Sequence, residues 1–235
     1  MKNNILIIAA THGNEPIGVE VIKELEKRGL GGYFDMLIAN PHALAAGKEF
    51  VDVNLNRVYP GRKDSRLHEE RLAYSNLQSA RKYRYVIDLH EASQGKDDFI
   101  IVPRENISDK FPLELIDLKR VLLWPDPKGP LAQVLENAIE LEFGSFARDR
   151  REMVAKAAGI IGRFISSLEA GRVGELCQQE KYYVYGKISA EEFTGNINEL
   201  VDFEEYEYND EVFLPLLARQ YLASGIVCYK MRRVG

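Results

Sequence analysis

A run of six aliphatic residues near the start of the chain, Ile5-Leu6-Ile7-Ile8-Ala9-Ala10, constrains the fold most strongly. A strand that is apolar at every position must be buried on both faces, as in a parallel sheet covered by helices. The run leads into His-Gly-Asn-Glu and not into a small-residue cleavage site, so we interpret it as a strand and not as a signal peptide. Residues 16–28 then have the apolar spacing of a helix that begins at Pro16 and stops at Gly29.

Strand and helix patterns alternate along most of the chain. Strands are predicted at 34–39, 85–90, 99–102, 121–124 and 139–143, and further helices at 65–82 and 146–169. This alternation predicts an α/β sheet with helical crossovers. After residue 172 the pattern changes to short strands without helices, at 182–185 and 226–229. We therefore predict a catalytic domain over residues 1–171 and a small β-rich C-terminal domain over residues 172–235.

The amino-acid composition limits the classes of molecule that the protein is expected to bind. The 235 residues carry 31 Lys and Arg against 36 Asp and Glu, a net charge of −5, so the basic excess of a nucleic-acid binder is lacking. No apolar run approaches the ~20 residues that span a bilayer. We expect a small-molecule partner, no nucleic-acid or membrane partner, and a cytoplasmic protein in which Cys177 and Cys228 remain unreactive thiols. Self-association into a homo-oligomer is left open.

Two of the four histidines directly follow or end predicted strands. His12 comes after the first strand, His90 ends the strand that begins at Tyr85, and Glu15 lies three residues beyond His12. The carboxyl ends of parallel strands are where open α/β sheets place their sites. Two histidines and one glutamate form the His₂Glu ligand set of catalytic zinc, which leaves one position open for water. The pair of His12 and Glu15 alone is a weak signal, and a structural role for His12 is the alternative.

Asp88 lies two residues before His90, so both side chains point to the same face of the strand. A carboxylate there can hydrogen-bond to the far nitrogen of a ligand histidine and orient its ring. The alternative is a buried aspartate that caps a nearby loop.

The segment Asn54-Leu55-Asn56-Arg57 lies in a loop before Pro60-Gly61. An arginine fork beside a carboxamide is suited to gripping a substrate carboxylate. A surface arginine in a turn is the alternative.

Glu142 stands between Leu141 and Phe143 at the end of a predicted strand. A carboxylate among apolar neighbours has a raised pKa, which suits a general base. Glu140 competes for this role, and because residues 140 and 142 share a face, the strand period does not choose between them.

Taken in order, five short motifs resemble the succinylglutamate desuccinylase/aspartoacylase family, within the wider zinc carboxypeptidase-like group. The motifs are Thr11-His12-Gly13-Asn14-Glu15, Asn40-Pro41, Asp52-Val53-Asn54-Leu55-Asn56-Arg57, Asp88-Leu89-His90 and Glu142-Phe143-Gly144. The resemblance spans roughly residues 5–144 and implies a zinc carboxypeptidase-like mixed sheet flanked by helices. It also implies a C-terminal β domain that partly covers the active site.

The resemblance implies a hydrolase with one zinc per chain that cleaves the amide bond of a small N-acyl amino acid. By position, His12, Glu15 and His90 would bind the zinc. Asn56 and Arg57 would bind the α-carboxylate of the substrate, and Glu142 would act as general base and then general acid. The stretch Cys228-Tyr229-Lys230 is similar to a tyrosine-containing stretch that holds the side-chain carboxylate in aspartoacylases.

Two substitutions depart from the family pattern. The family usually has an arginine, thought to polarise the scissile carbonyl, where this chain has Glu49, and an aspartate where it has Asn54. Lys48 could substitute as a point charge, zinc alone could polarise the carbonyl, or Glu49 could face a positively charged substrate group. We favour Lys48. The alternative functions are a carboxypeptidase-like peptidase, an esterase or deacylase for another carboxylate-bearing substrate, and a catalytically weakened zinc-binding module.

Overall fold

Ten strands and five α-helices make up the part of the chain that the computed structural model describes, which is residues 4–103, 107, 110–125, 129–171 and 176–234. The strands are β1 Ile5–Ala9, β2 Asp35–Ile38, β3 Tyr85–Ala92, β4 Asp98–Val102, β5 Arg120–Leu123, β6 Ala138–Gly144, β7 Glu180–Ser189, β8 Tyr206–Tyr208, β9 Glu211–Leu216 and β10 Ile226–Val234. The helices are α1 Ile17–Lys27, α2 Pro41–Ala46, α3 His68–Ala80, α4 Leu131–Val134 and α5 Arg150–Glu169.

All ten strands join one mixed sheet in the order β2-β1-β3-β6-β4-β5-β7-β10-β9-β8. Strands β2, β1, β3 and β6 are mutually parallel, and β4 runs antiparallel to β6. Their parallel direction brings the carboxyl ends of β1, β3 and β6 to one edge of the sheet. The predicted mixed α/β sheet flanked by helices is therefore confirmed.

Helices cover both faces of the parallel half of the sheet. In β1 the odd-numbered residues pack against α1 and α5, and the even-numbered residues pack against α3 and α4. All five residues of β1 are buried, as the continuous aliphatic run predicted. This alternation places even-numbered side chains of β1, β3 and β6 on the α3 side of the sheet, where the site described below lies.

Two local differences from the predicted elements have visible causes. Helix α2 was not predicted, and it begins where the Asn40 side chain accepts a hydrogen bond from the Ala43 N–H at 3.2 Å. Helix α5 begins at Arg150 and not at residue 146, because Asp149 accepts hydrogen bonds from the Arg151 and Glu152 N–H groups. Both helices start at a side-chain cap, which satisfies N–H groups that lack partners within the helix.

The C-terminal strands β7 to β10 continue the main sheet, because β7 pairs in parallel with β5. A separate apolar cluster joins the two parts, with Phe99 and Leu122 on one side and Val184 and Met231 on the other. The proposed boundary between residues 171 and 172 adjoins residues 172–175, which lie outside the described residues. In the described ranges, no helix is both long and apolar enough to cross a membrane.

Candidate metal centre and substrate cleft

The site is assembled by strand register. His90 of β3 pairs with Glu142 of β6, and two residues earlier Asp88 pairs with Glu140. Because alternate residues share a face, these four side chains form a square on the α3 side of the sheet. His12, just beyond the end of neighbouring β1, completes the group from the adjacent strand.

Glu15 lies between the two histidines. Its Oε1 is 2.7 Å from Nδ1 of His12, and its Oε2 is 3.0 Å from Nδ1 of His90. One ligand atom from each of these three residues can be chosen so that all lie within 4.8 Å of one another. The structure thus brings together the three residues that the sequence analysis proposed as metal ligands.

The far nitrogen of each histidine faces an oxygen. Nε2 of His12 lies 3.1 Å from Oδ1 of Asn54, and Nε2 of His90 lies 3.3 Å from Oδ2 of Asp88. The Thr11 hydroxyl lies 2.9 Å from each oxygen of Asp88 and fixes that carboxylate. The hydrogen bond to Asn54 favours a proton on Nε2 of His12, which leaves its Nδ1 lone pair directed to the centre of the site. Nε2 of His90 lies at ion-pair distance from Asp88 without a hydrogen bond between them.

The centre attracts positive charge. Burial opposes the charged form of His90, but Asp88 and Glu15 outweigh it and raise the His90 pKa well above its ordinary value. Burial likewise opposes the shift at His12, whose pKa is raised by Glu15. The pKa of Glu15 is lowered because the two imidazoles outweigh the effect of its burial. Two neutral imidazoles and one carboxylate are the donor set that zinc accepts, so these residues fit a zinc ion.

Two features of the backbone place His12 at this position. Ala10, fully buried, has a positive φ of 56° at the point where the chain leaves β1. A Cβ atom at Gly13 would lie 2.1 Å from the carbonyl carbon of Ala43, so only glycine allows helix α2 to approach the loop this closely. The Thr-His-Gly-Asn-Glu motif therefore encodes the shape of the loop as well as its donors.

A buried carboxylate holds the loop that carries Asn54, Asn56 and Arg57. Glu69, in the first turn of α3, is fully buried. It accepts hydrogen bonds from the backbone N–H groups of residues 51, 52 and 53 at 2.6, 3.0 and 3.2 Å, and from the Asn40 side chain at 3.0 Å. Because all these donors meet one side chain, the loop is fixed relative to α2 and α3.

The next loop residues connect the histidine to the predicted carboxylate clamp. Oδ1 of Asn54 accepts a hydrogen bond from the Asn56 N–H at 2.8 Å, while the same oxygen faces His12. Arg57 donates to the Asn56 carbonyl at 2.8 Å, and its side chain lines the cleft. Oδ1 of Asn54 therefore contacts both His12, a candidate metal ligand, and the backbone of Asn56, which precedes Arg57.

A cleft opens beside the three candidate ligands. Glu140 and Glu142 both line it, and each is at least nine-tenths buried. Burial is the main reason that the pKa of Glu142 is raised well above its ordinary value, and the charge of Glu15 adds to the effect. Burial also raises the pKa of Glu140, with Asp88 acting in the same direction.

The C-terminal part of the chain supplies one wall of the cleft through Leu217 and Tyr221. Burial raises the pKa of Tyr221 well above its ordinary value, and the charges of Glu142 and Glu15 act in the same direction. The Tyr221 phenol is therefore a proton-bearing hydrogen-bond donor at ordinary pH. Tyr229, which the resemblance suggested, lies behind this wall, with its ring 6.0 Å from that of Tyr221 and 4.5 Å from that of Trp124.

Lys48 and Glu49 follow helix α2, just before the loop that carries Asn54. Lys48 is exposed, and it is not among the described residues that line the cleft. Glu49 is half-buried, and its Oε1 accepts a hydrogen bond from Nδ2 of Asn54 at 2.8 Å. The Glu49 carboxylate thus already has a hydrogen-bond partner within the chain, the Asn54 side chain.

Glu69 and Tyr221 were not identified in the sequence. Glu69 sits in a polar helix pattern, and its role depends on backbone groups 16 to 18 residues away. Tyr221 reaches the cleft only because β7 extends the sheet from β5. Neither residue stands in a local motif that would have distinguished it.

Known proteins share the sequence pattern of this chain and its fold. The sequence model of the succinylglutamate desuccinylase/aspartoacylase catalytic domain matches residues 1–180. Solved structures with the same mixed α/β fold include the succinylglutamate desuccinylase from Chromobacterium violaceum, with a TM-score of 0.78 at 18% identity over 98% of this chain and 84% of that one. Murine aminoacylase 3 has a TM-score of 0.75 at 17% identity, over 98% and 95% of the two chains.

The chain belongs to the succinylglutamate desuccinylase/aspartoacylase family. Among curated relatives, it is 27% identical to a succinylglutamate desuccinylase of Pseudomonas fluorescens strain Pf0-1 over 163 residues, which is 63% of this chain and 46% of that protein. It is 31% identical to one of Shewanella piezotolerans over 123 residues, 43% and 36% of the two chains. It thus spans about half the length, or less, of these curated relatives.

Proposed function

We propose that the protein is a zinc-dependent hydrolase that cleaves the amide bond of a small N-acyl amino acid. The observation that carries this proposal is the register pairing of His90 with Glu142, which sets a buried carboxylate beside the candidate metal ligands in one cleft with Arg57. The names of the relatives, succinylglutamate desuccinylase and aminoacylase, support an N-acyl amino acid as substrate.

His12, Glu15 and His90 would hold one zinc per chain. Bound there, zinc supplies Lewis-acid polarisation of a carbonyl and acidifies water. Asn54 orients the His12 imidazole through a hydrogen bond, and the Asp88 carboxylate lies 3.3 Å from Nε2 of His90, where it would support that ring as a ligand. Glu15 is also suited to this place because it precedes the N-terminus of α1, where a carboxylate is tolerated.

Glu142 performs the proton transfers. Its carboxylate takes a proton from the attacking water and then delivers that proton to the nitrogen of the leaving amine, as a general base followed by a general acid. Its burial, together with the charge of Glu15, raises its pKa and makes the protonated form accessible for the second step. Leu141 and Phe143, fully buried on the opposite face, hold this part of β6 in place.

Arg57 grips the α-carboxylate of the substrate, and the Asn54 hydrogen bond to the Asn56 N–H sets the position of that grip. Tyr221 lines the same cleft and can donate a hydrogen bond to a polar group of the substrate. Lys48 would act as a substitute for the family arginine only by turning inward from its exposed position, and Lys48→Ala, assayed for turnover, tests that role.

The experiment is a hydrolysis screen of zinc-loaded protein against N-acetyl, N-succinyl and other N-acyl amino acids, with C-terminal dipeptides and esters alongside. Release of free amino acid from at least one N-acyl substrate, lost on chelation and restored by zinc, supports the proposal. Cleavage of dipeptides alone would point to a peptidase, and turnover of none would point to a binding module. His12→Ala serves as the metal-deficient control.

A further inference from the structure

Two hydrogen-bond acceptors in the cleft have no protein partner. Oε1 of Glu140 and Oδ1 of Asn56 are both buried and lack any hydrogen bond among the described residues. Each residue is only 4% exposed, and both line the cleft. Leaving buried acceptors unpaired is costly, so a group that brings donors is expected at this point.

The two acceptors belong to one place in the cleft. The Asn56 side chain and the Arg57 charge both act on the Glu140 carboxylate, which puts all three groups on the same wall. Part of the lining beside them is apolar, since Glu140 pairs across the sheet with Ile101, and Ile101, Pro130 and Ala132 also line the cleft. A ligand that enters the cleft can therefore bring the donors that these two oxygens lack.

The charges that line the cleft indicate which kind of donor is missing. Arg57 is the only lysine or arginine among the described residues that line the cleft, whereas three carboxyl side chains, Glu15, Glu140 and Glu142, line it. A substrate carboxylate on Arg57 adds a further negative charge to this acidic cleft, close to Glu140. A primary ammonium on the same substrate removes that charge and offers three donors for the two unpaired oxygens.

We propose that Glu140 and Asn56 form an ammonium subsite, so that the substrate is an N-acyl amino acid that carries a second, unacylated amine. This inference depends on the proposed function in one respect only, which is that the substrate carries an acyl group. The subsite itself is defined by residues outside the metal-ligand trio. Two sources of the ammonium fit: a side-chain amine with the α-nitrogen acylated, or a free α-amine with a side-chain nitrogen acylated.

Matched substrates separate these sources. Nα-acetyl-L-ornithine is compared with Nα-acetyl-L-norleucine, and Nδ-acetyl-L-ornithine with 5-acetamidopentanoate, by kcat/KM of the zinc-loaded enzyme. Because a hydrogen-bonded ion pair replaces a methyl group or a hydrogen, one of the two pairs should differ by about 10- to 100-fold in favour of the amine. In Glu140→Gln the ratio of kcat/KM between the amine-bearing substrate and its amine-free partner should fall towards one. Glu207→Gln, a control at an exposed position of strand β8, should leave that ratio unchanged.

A binding series provides a second readout that needs no catalysis. Affinities of the zinc-loaded protein for hexanoate, L-norleucine and L-ornithine are measured by calorimetry, since each successive ligand adds one ammonium. A tenfold or greater gain at one step, lost in Glu140→Gln, supports the subsite even if no acyl substrate is turned over, in which case the proposed function fails alone. Equal affinities, no binding, or a ratio that persists in Glu140→Gln would overturn the subsite.

Discussion

Asn54 donates a hydrogen bond to Glu49 at 2.8 Å, and both residues occupy positions where the sequence departs from its family pattern. The resemblance implies an arginine and an aspartate at these positions, and this chain has a carboxylate and an amide. The donor and acceptor roles are thus exchanged between the two positions. Since Oδ1 of Asn54 also faces Nε2 of His12, the exchanged pair still presents an oxygen to the histidine.

This relationship predicts that the two departures compensate for each other. Glu49→Arg alone places a second donor against the Asn54 amide, and Asn54→Asp alone places a carboxylate against Glu49. Each single variant should weaken zinc binding by about 10- to 100-fold, the range typical of lost ligand-orienting contacts. The double variant should recover most of the loss, because an arginine then faces an aspartate.

Zinc affinity of the four proteins, measured by competition with a chelating dye, gives the coupling between the two positions. Additive losses in the double variant would show that Glu49 and Asn54 act independently. Turnover measured on the same proteins tests the sequence-based expectation that Glu49→Arg changes the rate on N-acyl amino acids.

Glu142→Gln should retain the fold and zinc but lower kcat by ~10²–10⁴, because glutamine cannot accept the proton of the attacking water. Steady-state kinetics with zinc content measured in parallel provides the check. A rate near that of the native protein would move the role to Glu140 or Glu91. Glu91 is the less available of the two, because its carboxylate is 2.7 Å from the Arg150 guanidinium.

Arg57→Lys should reduce kcat/KM for carboxylate substrates by roughly tenfold or more, since a lysine cannot form the two parallel hydrogen bonds of a guanidinium. The assay compares each N-acyl amino acid with its α-amide. If the native enzyme used both equally well, Arg57 would not be a carboxylate clamp.

Asp202 predicts a pH dependence of stability. Burial is the main cause that raises its pKa from 3.8 to about 6, and Asp97 adds to the shift, against hydrogen bonds from the Ala218 and Leu217 N–H groups. Because the folded protein holds this proton more tightly than the unfolded chain, stability from this group is present below pH 4 and is lost as the pH rises to about 6. The loss is up to about 3 kcal/mol.

The measurement is the free energy of unfolding of Asp202→Asn minus that of the native protein at several pH values. Asparagine keeps an oxygen to accept the Ala218 N–H and does not ionise, so the variant should gain relative stability between pH 4 and 7. A difference that stays constant over this range would contradict the shifted pKa. Other titrating groups cancel in the subtraction.

The sequence was sufficient to predict that His12 and His90 lie close together. Both stand at the ends of strands whose aliphatic runs required a parallel sheet. It did not distinguish Glu140 from Glu142, since the strand period places both on one face. The register does distinguish them, by pairing Glu142 with His90 and Glu140 with Asp88. The contribution of Tyr221 was not predictable, because it depends on the pairing of β5 with β7, between residues about 60 apart.

The zinc content of the purified protein tests the central claim most directly. After reconstitution with zinc and exhaustive dialysis, elemental analysis should find about one zinc per chain in the native protein. His90→Ala, which removes one of three ligands, should hold only a small fraction of that amount while remaining folded. A native protein without zinc, or a His90→Ala protein with full zinc content, would contradict the metal centre built from His12, Glu15 and His90.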